Sequence, residues 1–257
     1  IALKNADNLQ KQAAELSGPL KDALLNSLSE RVIAPYAILS LILVLLSMMI
    51  WFSKLPEIEK EVETKVDPSD NLWKHKHLVL GVIAIFAYVG VEVLSIDSLV
   101  NYAAYQGYSL ENAKSFPSYC VGAMFVGRFL GIFLMGKKIS SQNALAFNSI
   151  VAILLVLTAL FTKGDISIGC IVLLGLCHSI MWASIFPLAI TDLGLYAKRG
   201  SSFLIMAIVG GALIPPLYGK VADILNNDLR ASYFIMLPFY LFLLYYGFVG
   251  YRIRKRT

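Results

Sequence analysis

The chain has 257 residues, of which 58% are hydrophobic and only 15% are charged. A soluble domain of this length carries more charge and shorter apolar runs, so the composition excludes an ordinary soluble protein and predicts an all-α, polytopic membrane protein. The net charge of +5 comes from basic residues scattered among loops, which form no single basic face for nucleic acid.

The first part of the chain predicts one membrane helix between two polar segments. The sequence begins with Ile1 and shows no secretory signal, so we expect it to be a piece of a longer protein. Residues 1–31 predict an outer polar loop or a cut end, and residues 32–52 an apolar transmembrane helix. Residues 53–77 alternate Glu and Lys around Pro68, which is typical of a solvated cytoplasmic linker.

The rest of the chain predicts six more transmembrane helices, which together would form one bundle from residue 78 to residue 251. They are expected at residues 78–102, 118–135, 144–161, 166–190, 201–221 and 231–251. Each is close to the length of about 20 apolar residues that crosses a hydrocarbon layer. Ser109 is expected to cap a helix and Pro117 to lie near a first helical turn. Residues 252–257 form a basic tail.

Seven spans that cross the membrane in alternation place the loops on two sides of it, and most basic loop residues lie on one side. One side holds thirteen: Lys54, Lys60, Lys65, Lys74, Lys76, Lys137, Lys138, Lys198, Arg199, Arg252, Arg254, Lys255 and Arg256. The short loops on the other side hold three: Lys114, Lys163 and Arg230. Because Lys and Arg accumulate in cytoplasmic loops, the N-terminal end of the chain is expected outside and the tail inside, in an inner or plasma membrane.

Polar residues inside the second span are the first candidates for function. An ionised carboxylate is costly near the middle of a membrane, so Glu92 should face a cavity, a partner or a proton. At 100° per residue, Ser95 lies within reach of the Glu92 side, whereas Asp97 points elsewhere. Asn101, nine residues after Glu92 and towards the outer end, is a further polar candidate. Two interpretations remain open, a polar stripe along a substrate path or a Glu held by interhelical hydrogen bonds.

The third and fifth spans carry residues that are unusual at membrane depth, Arg128 on the third span and Trp182 on the fifth. Arg128, within the sequence GRFLG, can reach water by extending its stem, form an interhelical ion pair or bind a polar ligand. Trp182 at mid-depth needs a partner for its indole N–H and can stack on the C–H face of a sugar ring. His178, one turn away, is expected to be a packing residue with satisfied hydrogen bonds, and Phe186–Pro187 to mark a bend.

The sixth span carries four residues that weaken a helix, namely Gly210, Gly211, Pro215 and Pro216. One interpretation is a conformational hinge, since such residues are tolerated where a helix lines a cavity or moves. The other is close packing of small residues against a neighbouring helix.

Enzyme signatures are absent from the sequence. It contains no HExxH, GxSxG or Walker motif, and no GxGxxG follows a strand. His75 and His77 lie in a loop, and the three cysteines lack metal-ligand spacing, so we expect no metal, no cofactor and no disulfide. The sequence therefore indicates a protein that is not an enzyme.

Three segments carry a resemblance to a known family. FVGRFLGIFLM at 125–135, SIFPLAITDLG at 184–194 and KRGSSFLIMAIVGGALIPPLYGKVAD at 198–223 resemble the fucose/glucose/galactose:cation symporter branch of the major facilitator superfamily. The RGSSF…GG…PP…G pattern is the most specific part. The likeness runs from about Val32 to the tail and corresponds to spans 6 to 12 of the family.

The resemblance implies a fold and a function. The chain would supply the C-terminal six-helix bundle and one helix of a preceding bundle, whose remaining spans are missing here. The two bundles of the family rock about a monosaccharide site near mid-membrane, driven by a cation gradient, most often of protons and otherwise of Na⁺. Arg128 and Trp182 fall on spans that resemble sugar-facing helices of the family, as do Glu92 and Asn101, and all four become candidate sugar contacts.

Other functions remain open at this point. A seven-helix receptor shares the expected topology, whereas a retinal protein requires a lysine in the last span, which residues 231–251 lack. A membrane scaffold and a transporter of a different small polar solute are the further alternatives.

Overall fold

The computed structural model describes residues 19–53, 75–134 and 139–253. The first polar residues, most of the charged linker, the Lys137–Lys138 pair and the end of the basic tail lie outside these ranges. The described chain is helical and contains no strand, which confirms the predicted class. Seven candidate membrane spans, numbered 1 to 7, are Ile33–Phe52, Lys76–Asp97, Leu110–Phe133, Ser141–Phe161, Gly164–Ile190, Ala197–Ile224 and Leu229–Phe248.

The chain divides into two compact units, Ile1–Thr64 and Lys65–Thr257. In the first unit, span 1 is the apolar end of a single helix, Pro19–Phe52. The sequence predicted a polar loop up to residue 31, but the helix begins well before it. Proline is favoured at the start of a helix, and the Leu, Lys and Ala residues that follow are good helix formers, so the polar segment extends the helix.

The second unit is a bundle of six spans, and most of these spans consist of two helices separated by a short interruption. After span 2, a turn at Ser98 leads to the short helix Leu99–Tyr105. The other helices of this unit are Leu110–Ala113, Phe116–Leu134, Ser141–Phe161, Gly164–His178, Met181–Ile190, Ala197–Met206, Gly210–Ile224, Leu229–Ser232 and Met236–Phe248. Turns of 3₁₀ helix at Ala207–Val209 and Tyr233–Ile235 connect the two parts of spans 6 and 7.

Span 2 lies at the centre of this bundle and packs against spans 5, 6 and 7. Glycines permit the close approach. A Cβ atom at Gly210 of span 6 would overlap the carbonyl oxygen of Phe86, and one at Gly90 would overlap the Ile214 side chain. Small residues bring helix backbones together in membranes, where dispersion contacts replace the hydrophobic effect as the main packing force.

Hydrogen bonds join the helices at the Asp97 end of span 2. Gln106 Nε2 donates to the Tyr102 hydroxyl at 2.8 Å, and that hydroxyl also bonds Ser167 of span 5. Ser98 Oγ and the Tyr233 hydroxyl of span 7 are 2.7 Å apart. Because an unpaired polar group inside a membrane protein is costly, these pairs fix how spans 2, 5 and 7 meet.

The two helix caps in this region agree with the residue types that caps favour. Ser109, the expected cap, accepts a hydrogen bond from the Asn112 N–H, and Pro117 is the second residue of the next helix, as predicted. Asp228 caps the helix of Leu229–Ser232 by accepting from the Ala231 N–H at 2.9 Å. Asp228 also accepts from the Tyr105 hydroxyl at 3.0 Å, which ties the extension of span 2 to the start of span 7.

Candidate functional site

A cavity of about 620 Å³ opens between spans 3 and 5. Its wall is formed by Arg128, Gly131 and Ile132 from span 3 and by Ser179, Ile180, Trp182 and Ala183 from span 5. The volume falls within the range of about 300–1,000 Å³ that is usual for small-molecule sites. Arg128 and Trp182, chosen from the sequence on separate grounds, therefore lie in one cavity.

Two glycines of span 3 bring the wall residues together. A Cβ atom at Gly127 would overlap the Ser179 side chain, and a Cβ atom at Gly131 would overlap Ile180. The glycines are four residues apart, so they lie on one face of the helix, in the spacing that favours close helix contact in membranes. Arg128 follows the first of them and is exposed. The GRFLG sequence thus combines a packing surface with a cationic side chain beside the cavity.

The Arg128 guanidinium has donors to offer a ligand. Its hydrogen bond to a described residue is from Nη2 to the Met124 sulfur, at 3.5 Å. A thioether is a weak acceptor, and a guanidinium has five N–H donors. Most of that hydrogen-bonding capacity is therefore open to solvent or to a polar ligand, and carbonyl or hydroxyl oxygens are the partners it suits.

Span 5 is interrupted beside the cavity. One helix ends at His178 and the next begins at Met181, with Ile180 at φ −117° and ψ 0°. Pro187 lies inside the second helix, and the bend predicted at Phe186–Pro187 stays a prediction. The interruption lies earlier, at Ser179 and Ile180, which meet the glycine face of span 3, a tertiary contact that the local sequence does not reveal.

Trp182 lies on the second helix of span 5 and is partly buried. Its indole stacks on the Phe186 ring, with centroids 6.0 Å apart and planes inclined by 19°. The Tyr88 ring of span 2 is 6.4 Å away. These two aromatic neighbours restrict the rotation of the indole, which forms part of the cavity wall, and an indole face can stack on an apolar ring face.

Glu92 is partly buried on span 2 and is not a wall residue of the cavity. Its carboxyl group interacts with the Tyr88 hydroxyl and lies within electrostatic range of the Arg128 guanidinium. Glu92 is therefore connected to the cavity through those two side chains. Tyr88 lies on the same helix as Glu92, and Arg128 is an electrostatic neighbour from span 3. Both interpretations drawn from the sequence, interhelical hydrogen bonds and a polar stripe along a substrate path, stay predictions.

Asn101 lies apart from this group. It is exposed on the helix Leu99–Tyr105, beyond the turn at Ser98. Asn101 is nine residues after Glu92, which would be a rise of about 13.5 Å along the axis of one straight helix. Asn101 is not a wall residue of the cavity, so its predicted contact with a ligand requires a different conformation or a second subsite.

His178 is fully buried, and both ring nitrogens have partners. The Tyr240 hydroxyl is 2.8 Å from Nε2, and Ser95 Oγ is 3.4 Å from Nδ1. Ser95 donates its own proton to the Glu92 carbonyl at 2.7 Å, so Nδ1–H must donate to Ser95 and Tyr240 must donate to Nε2. This chain of donors ends on a backbone carbonyl, which does not titrate. His178 thus behaves as the packing residue predicted from the sequence.

Of the four proposed hinge residues, the two glycines pack against span 2, and the two prolines interrupt the backbone hydrogen bonds of their own helix. Gly210 faces the Phe86 carbonyl, and a Cβ atom at Gly211 would come within 2.9 Å of Val93. Pro215 and Pro216 lie inside the helix Gly210–Ile224 and remove two of its backbone donors. The glycines therefore serve close packing in this conformation, and a hinge at these positions stays a prediction.

Comparisons with known proteins find transporters of similar sequence that match most of this chain. No protein-family model matches the chain. A glucose/galactose transporter of Brucella abortus is 35% identical over 233 residues, covering 89% of this chain and 56% of that protein. A putative glucose/galactose transporter of Helicobacter pylori is 36% identical over 266 residues, covering 100% and 61%. The L-fucose-proton symporter of Escherichia coli is 27% identical over 262 residues, covering 99% and 58%.

A solved structure agrees with these relatives. The crystal structure of a major facilitator superfamily transporter, the E. coli protein FucP in its outward conformation, matches with a TM-score of 0.77 and 26% identity. The match covers 96% of this chain and 60% of FucP. The chain belongs to the major facilitator superfamily. It spans between about half and three fifths of the length of these relatives.

Membership of the major facilitator superfamily confirms the resemblance found in the sequence. The relatives are transporters and not enzymes, and the seven spans make this a multi-pass membrane protein. Two residues of the site were missed by sequence reasoning. Tyr88 and Ser179 have the appearance of ordinary core residues, although Tyr88 lies one helical turn before Glu92, a spacing that places both on one face.

Proposed function

We propose that the protein containing this chain moves a monosaccharide of the glucose, galactose or fucose type across the inner membrane together with a proton. The main support for this proposal is that Arg128 and Trp182 line one cavity of about 620 Å³. The relatives of the chain are also named for sugar transport. A cationic donor and an aromatic ring are complementary to the two surfaces of a sugar, which are hydroxyl groups and C–H faces.

In this proposal the sugar ring stacks on Trp182, and Arg128 donates hydrogen bonds to its hydroxyl groups. Glu92 and Asn101 act as further contacts when the cavity closes. The opposite wall comes from an N-terminal bundle, of which span 1 is the last helix in the family plan. Alternating access follows from one bundle rocking against the other around a site near mid-membrane. Gly210, Gly211, Pro215 and Pro216 let span 6 adjust during this motion.

The proton is the favoured coupling ion because two relatives are named L-fucose-proton symporters. Among the described residues, no cluster of three His, Cys, Asp or Glu side chains suits a metal ion. We propose the topology that the loop charges indicate, with the N-terminal end of this chain outside, residues 53–77 as a cytoplasmic linker and the basic tail inside. The lipid bilayer surrounds the exposed apolar faces of the bundle.

Counterflow in vesicles tests the proposal. The full-length protein would be reconstituted with an excess of unlabelled D-glucose, D-galactose or L-fucose inside and a trace of the labelled sugar outside. We expect transient accumulation of at least one of these sugars, and an imposed proton gradient should drive its uptake without Na⁺. Failure of all three sugars to exchange would overturn the proposal, and uptake that follows a Na⁺ gradient would replace the proton. Transport by the relatives favours this function over a receptor.

A further inference from the structure

Tyr88 occupies a position between the carboxyl group of Glu92 and the interruption of span 5. Its side chain is only 2% exposed. Its hydroxyl lies 3.3 Å from the carbonyl oxygen of His178, the last residue of the first helix of span 5. The same hydroxyl interacts with the Glu92 carboxyl group, and the Tyr88 ring is 6.4 Å from the Trp182 ring.

The interruption in span 5 creates a need for this contact. A carbonyl at the end of a helix lacks its usual partner four residues later, and in a membrane that carbonyl must be satisfied by another donor. Tyr88 supplies one for His178. Trp182 follows four residues after His178, so the geometry at this carbonyl sets where the second helix starts and where the indole stands.

A phenolic hydroxyl carries a single proton and can donate one strong hydrogen bond. An ionised Glu92 offers a charged acceptor, which is stronger than a neutral carbonyl. A protonated Glu92 instead has a proton of its own to donate to the phenolic oxygen. Tyr88 can then direct its proton to the His178 carbonyl. The two protonation states of Glu92 therefore favour different partners for the same hydroxyl.

We propose that Tyr88 is a positioning residue that makes sugar binding in the cavity depend on the protonation of Glu92. With Glu92 protonated, Tyr88 donates to the His178 carbonyl and holds span 5 with Trp182 in the sugar-binding position. With Glu92 ionised, Tyr88 turns to the carboxylate and the contact that holds span 5 weakens. This inference rests on the proposed function, since it concerns the affinity of the same site.

The groups around Glu92 are compatible with this role. Arg128 and Cys120 face it from span 3, and Tyr240 faces it from span 7. On span 5, His178 has both nitrogens occupied by neutral partners. Span 6 meets span 2 at this level through Gly211 and Ile214, which do not titrate. Arg128 stays charged throughout, so Glu92 is the group in this set whose proton is free to change.

The test is the apparent affinity for sugar across a series from mildly acidic to mildly alkaline pH. It uses counterflow of the full-length protein with D-glucose, D-galactose and L-fucose as probes. For the wild-type protein we expect a higher affinity at acidic pH, by roughly threefold to tenfold if one hydrogen bond is gained. In Tyr88→Phe the affinity should no longer change with pH because the phenolic proton is gone, and in Glu92→Gln it should no longer change because the amide cannot ionise.

The double variant separates this mechanism from general damage. Because the pH effect of Glu92 acts through Tyr88, adding Glu92→Gln to Tyr88→Phe should leave the affinity independent of pH, as in Tyr88→Phe alone. An offset that is equal at every pH reports the direct contact of Glu92 with the sugar. Tyr233→Phe is the matched control, since it also removes a buried hydroxyl bonded to span 2, through Ser98 at 2.7 Å, but far from Glu92. It should retain the wild-type pH dependence.

The outcomes distinguish this inference from the proposed function. If sugars exchange but Tyr88→Phe keeps the wild-type pH dependence, the role of Tyr88 is refuted and sugar transport stands. If the wild-type affinity does not change with pH, the role of Tyr88 is refuted as well. If no sugar exchanges at any pH in the wild-type protein, the proposed function fails and this inference fails with it.

Discussion

Gly210→Ala should destabilise the bundle although alanine is the better helix former. Gly210 begins the helix Gly210–Ile224, and a Cβ atom there would overlap the carbonyl oxygen and carbon of Phe86 in span 2. Backbone atoms cannot rotate away as a flexible side chain can, so the two helices must separate. Overpacking of this kind costs about 1–3 kcal/mol.

Gly219 provides a matched control in the same helix. A Cβ atom at Gly219 meets nothing within 4 Å. Gly219→Ala should therefore stabilise the helix by roughly 0.5–1 kcal/mol, the usual preference for alanine over glycine. The same propensity gain applies to Gly210→Ala. The difference between the two variants then isolates the overlap with Phe86 and should be about 1–3 kcal/mol.

Thermal unfolding of the full-length protein in detergent, followed by loss of monomeric protein on gel filtration, measures this difference. Gly210→Ala should lose its monomer at a lower temperature than the wild-type protein, and Gly219→Ala at an equal or higher one. Equal midpoints for the two variants would refute the close approach of spans 2 and 6. Normal stability together with slow counterflow in Gly210→Ala would instead support a hinge at this position.

Three further substitutions test other parts of the account. Trp182→Ala should weaken sugar binding in counterflow by about tenfold through loss of the stacking surface, and Trp182→Phe by less, whereas equal affinity would remove Trp182 from the site. His178→Leu leaves the buried Tyr240 hydroxyl without its acceptor and should cost about 1–3 kcal/mol in thermal unfolding; adding Tyr240→Phe should restore part of that loss. Asp228→Ala removes a helix cap and should cost about 1 kcal/mol, while Asp228→Asn keeps the cap.

Asp228 also predicts a dependence of stability on pH. The hydrogen bond from the Ala231 N–H holds the pKa of Asp228 below its ordinary value. A lowered pKa means that the stabilisation is complete above the pKa of the unfolded chain and is lost as the pH falls through the pKa of the folded protein. The stability difference between the wild-type protein and Asp228→Asn should therefore shrink in acid. A constant difference would contradict the lowered pKa of Asp228 in the folded protein.

The sequence predicted the number and class of the spans because lipid imposes a strict length and an apolar composition on each. It did not predict where the helices are interrupted. Pro187 suggested a bend and Pro215 and Pro216 a hinge, and all three lie inside helices rather than at an interruption. The break in span 5 comes at Ser179 and Ile180, where span 3 packs closely, and such a tertiary contact is invisible to local sequence patterns.

The candidate site was predicted in part. A charge and a large aromatic residue at membrane depth are conspicuous, so Arg128 and Trp182 could be chosen from the sequence, and they share a cavity. Asn101 was grouped with Glu92, although nine residues at 100° each place the two on opposite faces of a straight helix. The turn at Ser98 ends that helix. Tyr88 was missed because a tyrosine in an apolar span is most often a packing residue, and its partners come from span 5.

Protection of a cysteine in the cavity wall tests the central claim most directly. Ala183 is an exposed wall residue, whereas Cys120, Cys170 and Cys177 are buried, so Ala183→Cys should react with a water-soluble maleimide above the background of the parent protein. We predict that a sugar which exchanges in counterflow slows this labelling and that a sugar which does not exchange leaves it unchanged. Labelling of Ala183→Cys at the same rate with and without the transported sugar would contradict a sugar site between spans 3 and 5.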